Sequence, residues 1–101
     1  MSNLGDYIRK GRERKSLLLR HVAQSLDMDT TLLSKIERSI RPLKEDKLQK
    51  MAEVLDLDPV ELRTRWLADK VRTLIENEDN PIDVLKVAES QLPYNDHKPQ
   101  I

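Results

Sequence analysis

Apolar residues recur at intervals of three and four along most of this chain, and this helical periodicity limits what the chain can fold into. Strands are disfavoured, because alternating segments are lacking and aromatic residues make up only 3% of the sequence. With 101 residues, 38% of them hydrophobic, the chain can form one small domain with an appended segment. The sequence therefore predicts an all-α protein.

Helices are expected at about residues 4–15, 19–26, 30–38, 45–55 and 59–75, and from residue 81 onward. Asp29 and Asp58 are predicted to cap the third and fifth helices, because their side chains can accept from free backbone amides. Pro59 suits the first turn of the fifth helix, and Glu61 is expected to complete a capping box there. Paired aspartates would also suit a metal ion, but capping is the more common use.

Charge is distributed unevenly, although the whole chain is neutral. Residues 1–44 contain ten Lys and Arg against five Asp and Glu, whereas residues 45–101 contain eight against thirteen. The two halves thus carry +5 and −5. A basic half favours a polyanionic partner such as nucleic acid. The alternative is that these charges only solvate the surface.

Several classes of function are disfavoured by the composition. The chain has no cysteine, only two histidines, His21 and His97, and too few glycines for a phosphate-binding loop. We therefore expect no cofactor, no metal site and no enzymatic activity. We also expect a cytoplasmic protein without a membrane partner, because we find neither a long apolar segment nor a secretion leader.

The segment from Leu17 to Arg38 meets the constraints of two short helices joined by a tight turn. Ala23 is small enough to let the two helices cross closely. Asp27 occupies the turn, and Leu33 and Ile36 anchor the second of these helices from its inner face. This joint spacing favours a helix-turn-helix, the arrangement with which many proteins read DNA.

The outer face of the helix that follows the turn is polar. Its short hydroxyl groups and single cation suit base edges in a major groove, and the residues are Thr30, Thr31, Ser34 and Lys35. Taken singly, each of them could equally belong to an ordinary solvent-facing helix. Taken together with the spacing of the inner residues, they indicate a base-reading face.

Residues 4–62 resemble the Xre/Cro/CI-like family of helix-turn-helix transcriptional regulators, through LGDYIRKGRERK, VAQSL, LLSKIER and LDPVEL. The resemblance implies a five-helix, lambda-repressor-like DNA-binding domain. It implies an ion pair between Arg12 and Glu37 that ties the first helix to the third. It also implies base contacts for the outer face, phosphate contacts for Arg38 and Arg41, and a weaker phosphate contact for Lys44.

The chain departs from the pattern of that family in three places. Leu18 and Leu19 stand where a polar residue usually begins the second helix and touches phosphate. Arg20 or His21 could replace that contact near a helix N-terminus, or both could be ordinary surface residues. Asp27 and Ser39 stand where the family usually has glycine, so slightly altered loops are expected there.

The second half carries more apolar surface than a helix needs to close a core. We expect a DNA-binding domain at residues 1–62, a helical extension at 63–92 and a flexible tail at 93–101. The apolar residues expected to build or support a homodimer contact are Trp66, Leu67, Val71, Leu74, Ile75, Ile82, Leu85 and Ala88. The alternative is that the sixth helix folds back and covers this stripe within one chain.

Together these features predict a transcriptional repressor that binds double-stranded DNA as a homodimer on a palindromic operator. The alternative is an antitoxin or a restriction-modification controller that binds its own promoter. An antitoxin would also bind a protein partner through the C-terminal helices. A pure interaction module would leave the basic first half and the polar outer face unexplained.

Overall fold

The computed structural model describes residues 3–93, and all of its regular structure is helical. The elements are α1 (Leu4–Arg14), α2 (Leu19–Ser25), α3 (Thr30–Glu37), a 3₁₀ turn (Glu45–Lys47), α4 (Leu48–Leu55), α5 (Pro59–Ile75) and α6 (Pro81–Gln91). The predicted all-α class is confirmed, since no strand occurs in this range. The flexible tail expected at 93–101 lies outside the described residues from position 94 onward.

Two predicted helix caps are present. The side chains of Asp29 and Asp58 each accept a hydrogen bond from the amide two residues further on, at 3.4 and 2.9 Å. The capping box predicted at Glu61 is wrong, because this carboxylate accepts from Arg65 Nε at 2.7 Å, one turn along the same helix. An opposite charge four residues away provides a stronger partner than the backbone amide at the helix start.

Helices α1 to α4 all end in the same way. A non-glycine residue with φ between 55° and 63° follows each of them, namely Ser16, Asp27, Ser39 and Asp56. The next amide then bonds to the carbonyl five residues earlier, at distances of 2.8 to 3.1 Å, which satisfies a free carbonyl of the last turn. At Asp27 and Ser39, where altered loops were expected, both residues adopt the left-handed conformation that glycine favours.

The hydrophobic residue after each of these left-handed residues differs in its surroundings. Leu17, Met28 and Leu57 pack on the core, whereas Ile40, after α3, is 57% exposed. The loop that follows α3 therefore lacks the hydrophobic contact that closes the other three helix ends.

The core is formed by side chains that helical periodicity places on inner faces. Its buried members are Leu4, Ile8, Val22, Ala23, Leu26, Leu33, Ile36, Leu43, Leu48, Met51, Ala52, Leu55, Leu57, Leu62 and Trp66. Each element from α1 to α5 contributes at least one of them, so α2 and α3 are supported from behind by the other three helices.

The chain divides into two compact units, the first ending at Asp69 and the second beginning at Lys70. The first unit extends beyond the expected boundary at residue 62, because two later residues of α5 still bond to it. Trp66 Nε1 donates to the carbonyl of Leu43 at 2.6 Å, and Asp69 accepts from the amide of Leu4 at 3.4 Å.

The second unit, taken by itself, has little core of its own. Among its described residues only Ile75 is a buried hydrophobic, and α6 contains no buried residue. Its exposed large hydrophobic residues are Val71, Leu74, Ile82, Val84, Leu85, Val87 and Leu92. So many exposed apolar residues on the end of α5 and on α6 are typical of a surface that packs against another element or another molecule.

Candidate nucleic-acid interface

Helices α2 and α3 form the predicted pair, joined by four residues from Leu26 to Asp29. Ala23, on the inner side of α2, is 1% exposed, and its carbonyl accepts from the amide of Met28 at 2.9 Å. Leu33 and Ile36 bury the inner side of α3. The small residue, the tight turn and these two anchors together fix the angle at which α3 is presented.

The outer face of α3 is accessible and its side chains are uncommitted. Thr30 and Thr31 are exposed, and Ser34 and Lys35 are partly exposed. None of these four side chains forms a hydrogen bond or ion pair within residues 3–93. Their donors and acceptors are therefore available to an external partner.

A shallow groove brings the starts of α2 and α3 together. It is lined by Arg20, Gln24, Asp27, Met28, Asp29 and Thr30. Gln24 is a residue that sequence reasoning missed, although it lies four positions after Arg20 and therefore on the same face of α2. Its amide adds both a donor and an acceptor beside the first residue of α3.

Several cations on and around the α2–α3 pair have no ion-pair partner among residues 3–93, and the same is true of Lys10, Arg14 and Lys15 on or just after α1. Arg20, Arg41 and Lys44 are exposed, Lys35 is partly exposed, and none of them forms an ion pair with another described residue. Lys50, Arg63, Arg65 and Arg72, all on α4 or α5, each pair with a glutamate at 2.7 to 4.0 Å. Uncompensated positive charge is thus found on and around the α2–α3 pair.

Two further candidates for phosphate contact are also on the surface. His21 is exposed in the first turn of α2. Arg38 is exposed just after α3, and its Nε donates to the carbonyl of Ser34 at 3.3 Å, which holds the side chain along the end of its own helix. Both positions are open to solvent, as a phosphate contact requires.

An ion pair joins α1 to the end of α3. Arg12 Nε and Nη2 donate to the two carboxylate oxygens of Glu37 at 2.7 and 3.0 Å, and Nη1 donates to the carbonyl of Leu17 at 3.0 Å. The hydrogen bond and charge of Glu37 raise the pKa of Arg12 above its ordinary value, against the opposing effect of burial. One guanidinium thus holds both the end of α3 and the segment entering α2.

Gly5 is a second positioning residue, which sequence reasoning missed. A Cβ at this position would lie 2.4 Å from the carbonyl oxygen of Glu37 and 2.7 Å from that of Ile36. Only glycine lets α1 approach the last turn of α3 so closely. The sequence gives no signal of this contact, since α1 would be predicted equally well with alanine there.

Lys47 is a third residue whose role sequence reasoning missed. Its Nζ donates to the carbonyl of Leu26 at 2.7 Å, just after the last residue of α2. A cation at a helix C-terminus satisfies a free carbonyl and interacts favourably with the helix dipole. The turn between α2 and α3 is therefore also held from the 3₁₀ segment.

The residues expected at a dimer contact fall into two groups. Leu67, Val71, Leu74, Ile82, Leu85 and Ala88 are exposed. Trp66 and Ile75 are each only 7% exposed, and Trp66 belongs to the core of the first unit. Trp66 is therefore a core residue and is not part of the proposed dimer surface.

Residues 3–93 show neither a metal-binding cluster nor a membrane-spanning helix. No group of three or more His, Cys, Asp or Glu residues that could hold a metal ion is found there. No helix in the same range is both long and apolar enough to cross a membrane.

In a comparison with known families, residues 3–66 match a family model described as a helix-turn-helix domain. The matched range ends at Trp66, three residues before the end of the first compact unit. No curated protein and no solved structure matches the chain.

Proposed function

The chain belongs to the helix-turn-helix domain family, and on that premise we propose that it is a cytoplasmic transcriptional regulator that binds double-stranded DNA in a sequence-specific way. The resemblance to Xre/Cro/CI-like regulators supports a repressor. We propose no catalytic role and no cofactor.

One observation carries this proposal: α3 presents an uncommitted polar face, and the cations around it are unpaired. Several cations on α4 and α5 instead pair with a carboxylate. Cations that are left unpaired around a rigid helix are suited to neutralising phosphates. Among polyanions, double-stranded DNA fits this face best, because its major groove is wide enough to admit an α-helix such as α3.

The proposed contacts divide into two classes. Base edges would be read by the outer face of α3, that is by Thr30, Thr31, Ser34 and Lys35. Phosphates would be contacted by the flanking residues Arg20, His21, Arg38, Arg41 and Lys44. The first class sets sequence preference, and the second sets affinity and its dependence on salt.

We further propose that the protein acts as a homodimer on a palindromic operator. One reading helix contacts few base pairs, and a two-fold dimer doubles the contacted sequence. The exposed apolar residues of the second unit, such as Leu74 and Ile82, support this proposal because they lack a partner in the core described above. The same surface supports the alternative of an antitoxin, whose C-terminal helices would bind a different protein.

The test of DNA binding is a salt titration with a fluorescent duplex of about two helical turns. We expect the double variant Arg20→Gln, Arg41→Gln to bind more weakly than the wild type. Its slope of log K against log salt should be shallower by about 0.9 for each lost phosphate contact.

The matched control is Lys50→Gln, Lys86→Gln, which removes the same charge from α4 and α6. This control should retain the wild-type slope. Equal slopes for the two double variants would show that Arg20 and Arg41 do not contact DNA phosphates.

A further inference from the structure

The loop between α3 and the 3₁₀ turn, residues 38–44, carries three of the proposed phosphate contacts: Arg38, whose side chain bonds back to α3, and then Arg41 and Lys44. Arg41 and Lys44 are exposed and neither belongs to a helix. Because the hydrophobic residue that should close this end of α3, Ile40, is 57% exposed, the loop needs other anchors to hold its shape.

The beginning of the loop is fixed by α3 itself. The amides of Ile40 and Arg41 both donate to the carbonyl of Lys35, at 2.8 and 3.4 Å. These bonds determine where the backbone leaves α3, but they act before the loop reaches Lys44.

The end of the loop is fixed by α5. Leu43 is 2% exposed, and its carbonyl accepts a hydrogen bond from Trp66 Nε1 at 2.6 Å in a buried position. A buried carbonyl that loses its only strong donor is costly, so this bond strongly favours one position of the loop. Leu43 lies between Pro42 and Lys44, that is, directly beside the proposed phosphate contacts.

A second link from α5 reaches the residue after the loop. Arg63 Nη2 lies 2.9 Å from Glu45 Oε2, and the Arg63 guanidinium lies 5.6 Å from the centre of the Trp66 ring. Arg63 and Trp66 are three residues apart and thus on one side of α5. This side of α5 therefore holds both Leu43 and Glu45.

We propose that Trp66 is a positioning residue for DNA binding, which acts through the carbonyl of Leu43 to hold Arg41 and Lys44 in place for the phosphate backbone. This inference rests on the proposed function. The physical reason is preorganisation: a loop that is already ordered in the free protein loses less entropy when its cations bind. Trp66 itself lies in the core and touches no DNA.

The test is Trp66→Phe, which keeps a ring in the core and removes the indole N–H. We expect about a three- to tenfold loss of affinity for duplex DNA and a shallower salt dependence, with base preference unchanged. In an Arg41→Ala, Lys44→Ala background the same substitution should change affinity by less than about twofold, because the cations that it positions are absent.

Amide hydrogen exchange gives a readout that needs no DNA. Exchange at the amides of Ile40, Arg41, Leu43 and Lys44 should accelerate in Trp66→Phe, while that of α3 stays as in the wild type. Leu62→Val, a buried change on the same helix without a bond to the loop, is the control for general loss of stability and should leave the salt slope unchanged.

Arg63→Gln is a second variant, which breaks an exposed pair and should fold even if Trp66→Phe does not. It should also weaken binding, in the same direction and by less. Equal losses for Trp66→Phe in both backgrounds, or unchanged loop exchange, would overturn the inference while leaving the proposed function intact. A folded wild type that binds no duplex DNA would instead overturn the proposed function, and the inference with it.

Discussion

Glu37 is the one charged residue that is buried in residues 3–93. The side chain of Glu37 is 5% exposed and that of its partner Arg12 is 13% exposed, so the pair is held mostly away from water. Removing one member would leave the other charge without its partner in a poorly solvated place. We therefore expect the free energy of unfolding to fall when either partner is removed alone.

We predict that Glu37→Gln lowers the free energy of unfolding by about 3 kcal/mol, because Arg12 then lacks its counter-charge. Urea denaturation followed by the fluorescence of Trp66, the only tryptophan in the chain, measures this change. Arg12→Met combined with Glu37→Leu should recover much of the loss, since two apolar side chains need no partner. A Glu37→Gln variant as stable as the wild type would contradict this role of the pair.

Residue-level features were predictable where their cause is local. The caps at Asp29 and Asp58 follow from neighbouring backbone amides, and the structure contains both. Glu61 was assigned wrongly because Arg65 competes for its carboxylate. Lys47 escaped prediction because the carbonyl that it binds, that of Leu26, is 21 residues away in the sequence. Gln24 could have been found from its spacing of four from Arg20.

At the scale of elements, α1 makes its close contacts through two glycines with different neighbours, Gly5 against α3 and Gly11 against Leu55 and Leu57. Gly5 faces the backbone of α3, which cannot move without shifting the whole helix, whereas the closest neighbour of Gly11 is the side chain of Leu57, at 3.2 Å from a built Cβ. Both are buried positions on α1.

We predict different effects on stability for the same substitution at these two glycines. Gly5→Ala should destabilise the protein by about 1–3 kcal/mol, because the added methyl overlaps the carbonyls of Ile36 and Glu37. Gly11→Ala should be close to neutral, because the higher helix propensity of alanine, worth about 1 kcal/mol, offsets a small movement of Leu57. Thermal unfolding followed by circular dichroism compares them, and a Gly5→Ala variant as stable as Gly11→Ala would show that the close approach is unnecessary.

The two classes of DNA contact lead to a second prediction at this scale. Lys35→Ala, on α3, should weaken binding to the preferred sequence and relax one base preference. Arg41→Ala, in the loop, should weaken binding to all sequences alike and flatten the salt dependence. Titrations with a selected and a random duplex separate the two, and equal losses on both duplexes for Lys35→Ala would refute its base-reading role.

The helices themselves were predicted closely, because helical periodicity and capping residues are local signals. The fourth differs, since its first turn, Glu45–Lys47, is a 3₁₀ helix and α4 begins at Leu48. The closeness of α1 and α3 at Gly5 was not predictable, because a glycine gives the same local signal whether it is crowded or open.

At the scale of the whole molecule, the exposed apolar residues of the second unit bear on whether the protein associates with itself. The predicted apolar stripe exists, yet its first member, Trp66, belongs to the core of the first unit. Periodicity identifies the apolar face of α5 without showing which of its residues pack inside the same chain. Leu74 and Ile82, 78% and 60% exposed, are the residues to change in a test of self-association.

We predict that the wild type sediments as a dimer at micromolar concentration and that Leu74→Glu with Ile82→Glu sediments as a monomer with unchanged helix content. Buried glutamates in an apolar contact would lack partners and oppose association. Val60→Glu is the control, because Val60 is 73% exposed and lies in the first unit. A monomeric wild type would exclude the homodimer and favour a different protein as the partner of this surface.

Selection from a randomised duplex pool by the wild-type protein, at two salt concentrations, tests the claim that α3 reads DNA sequence. We expect enrichment of a palindrome whose half-sites lie about one helical turn apart, at both salt concentrations. No enrichment at either concentration, with a folded protein, would contradict the claim and leave the α2–α3 pair as a scaffold for a protein partner.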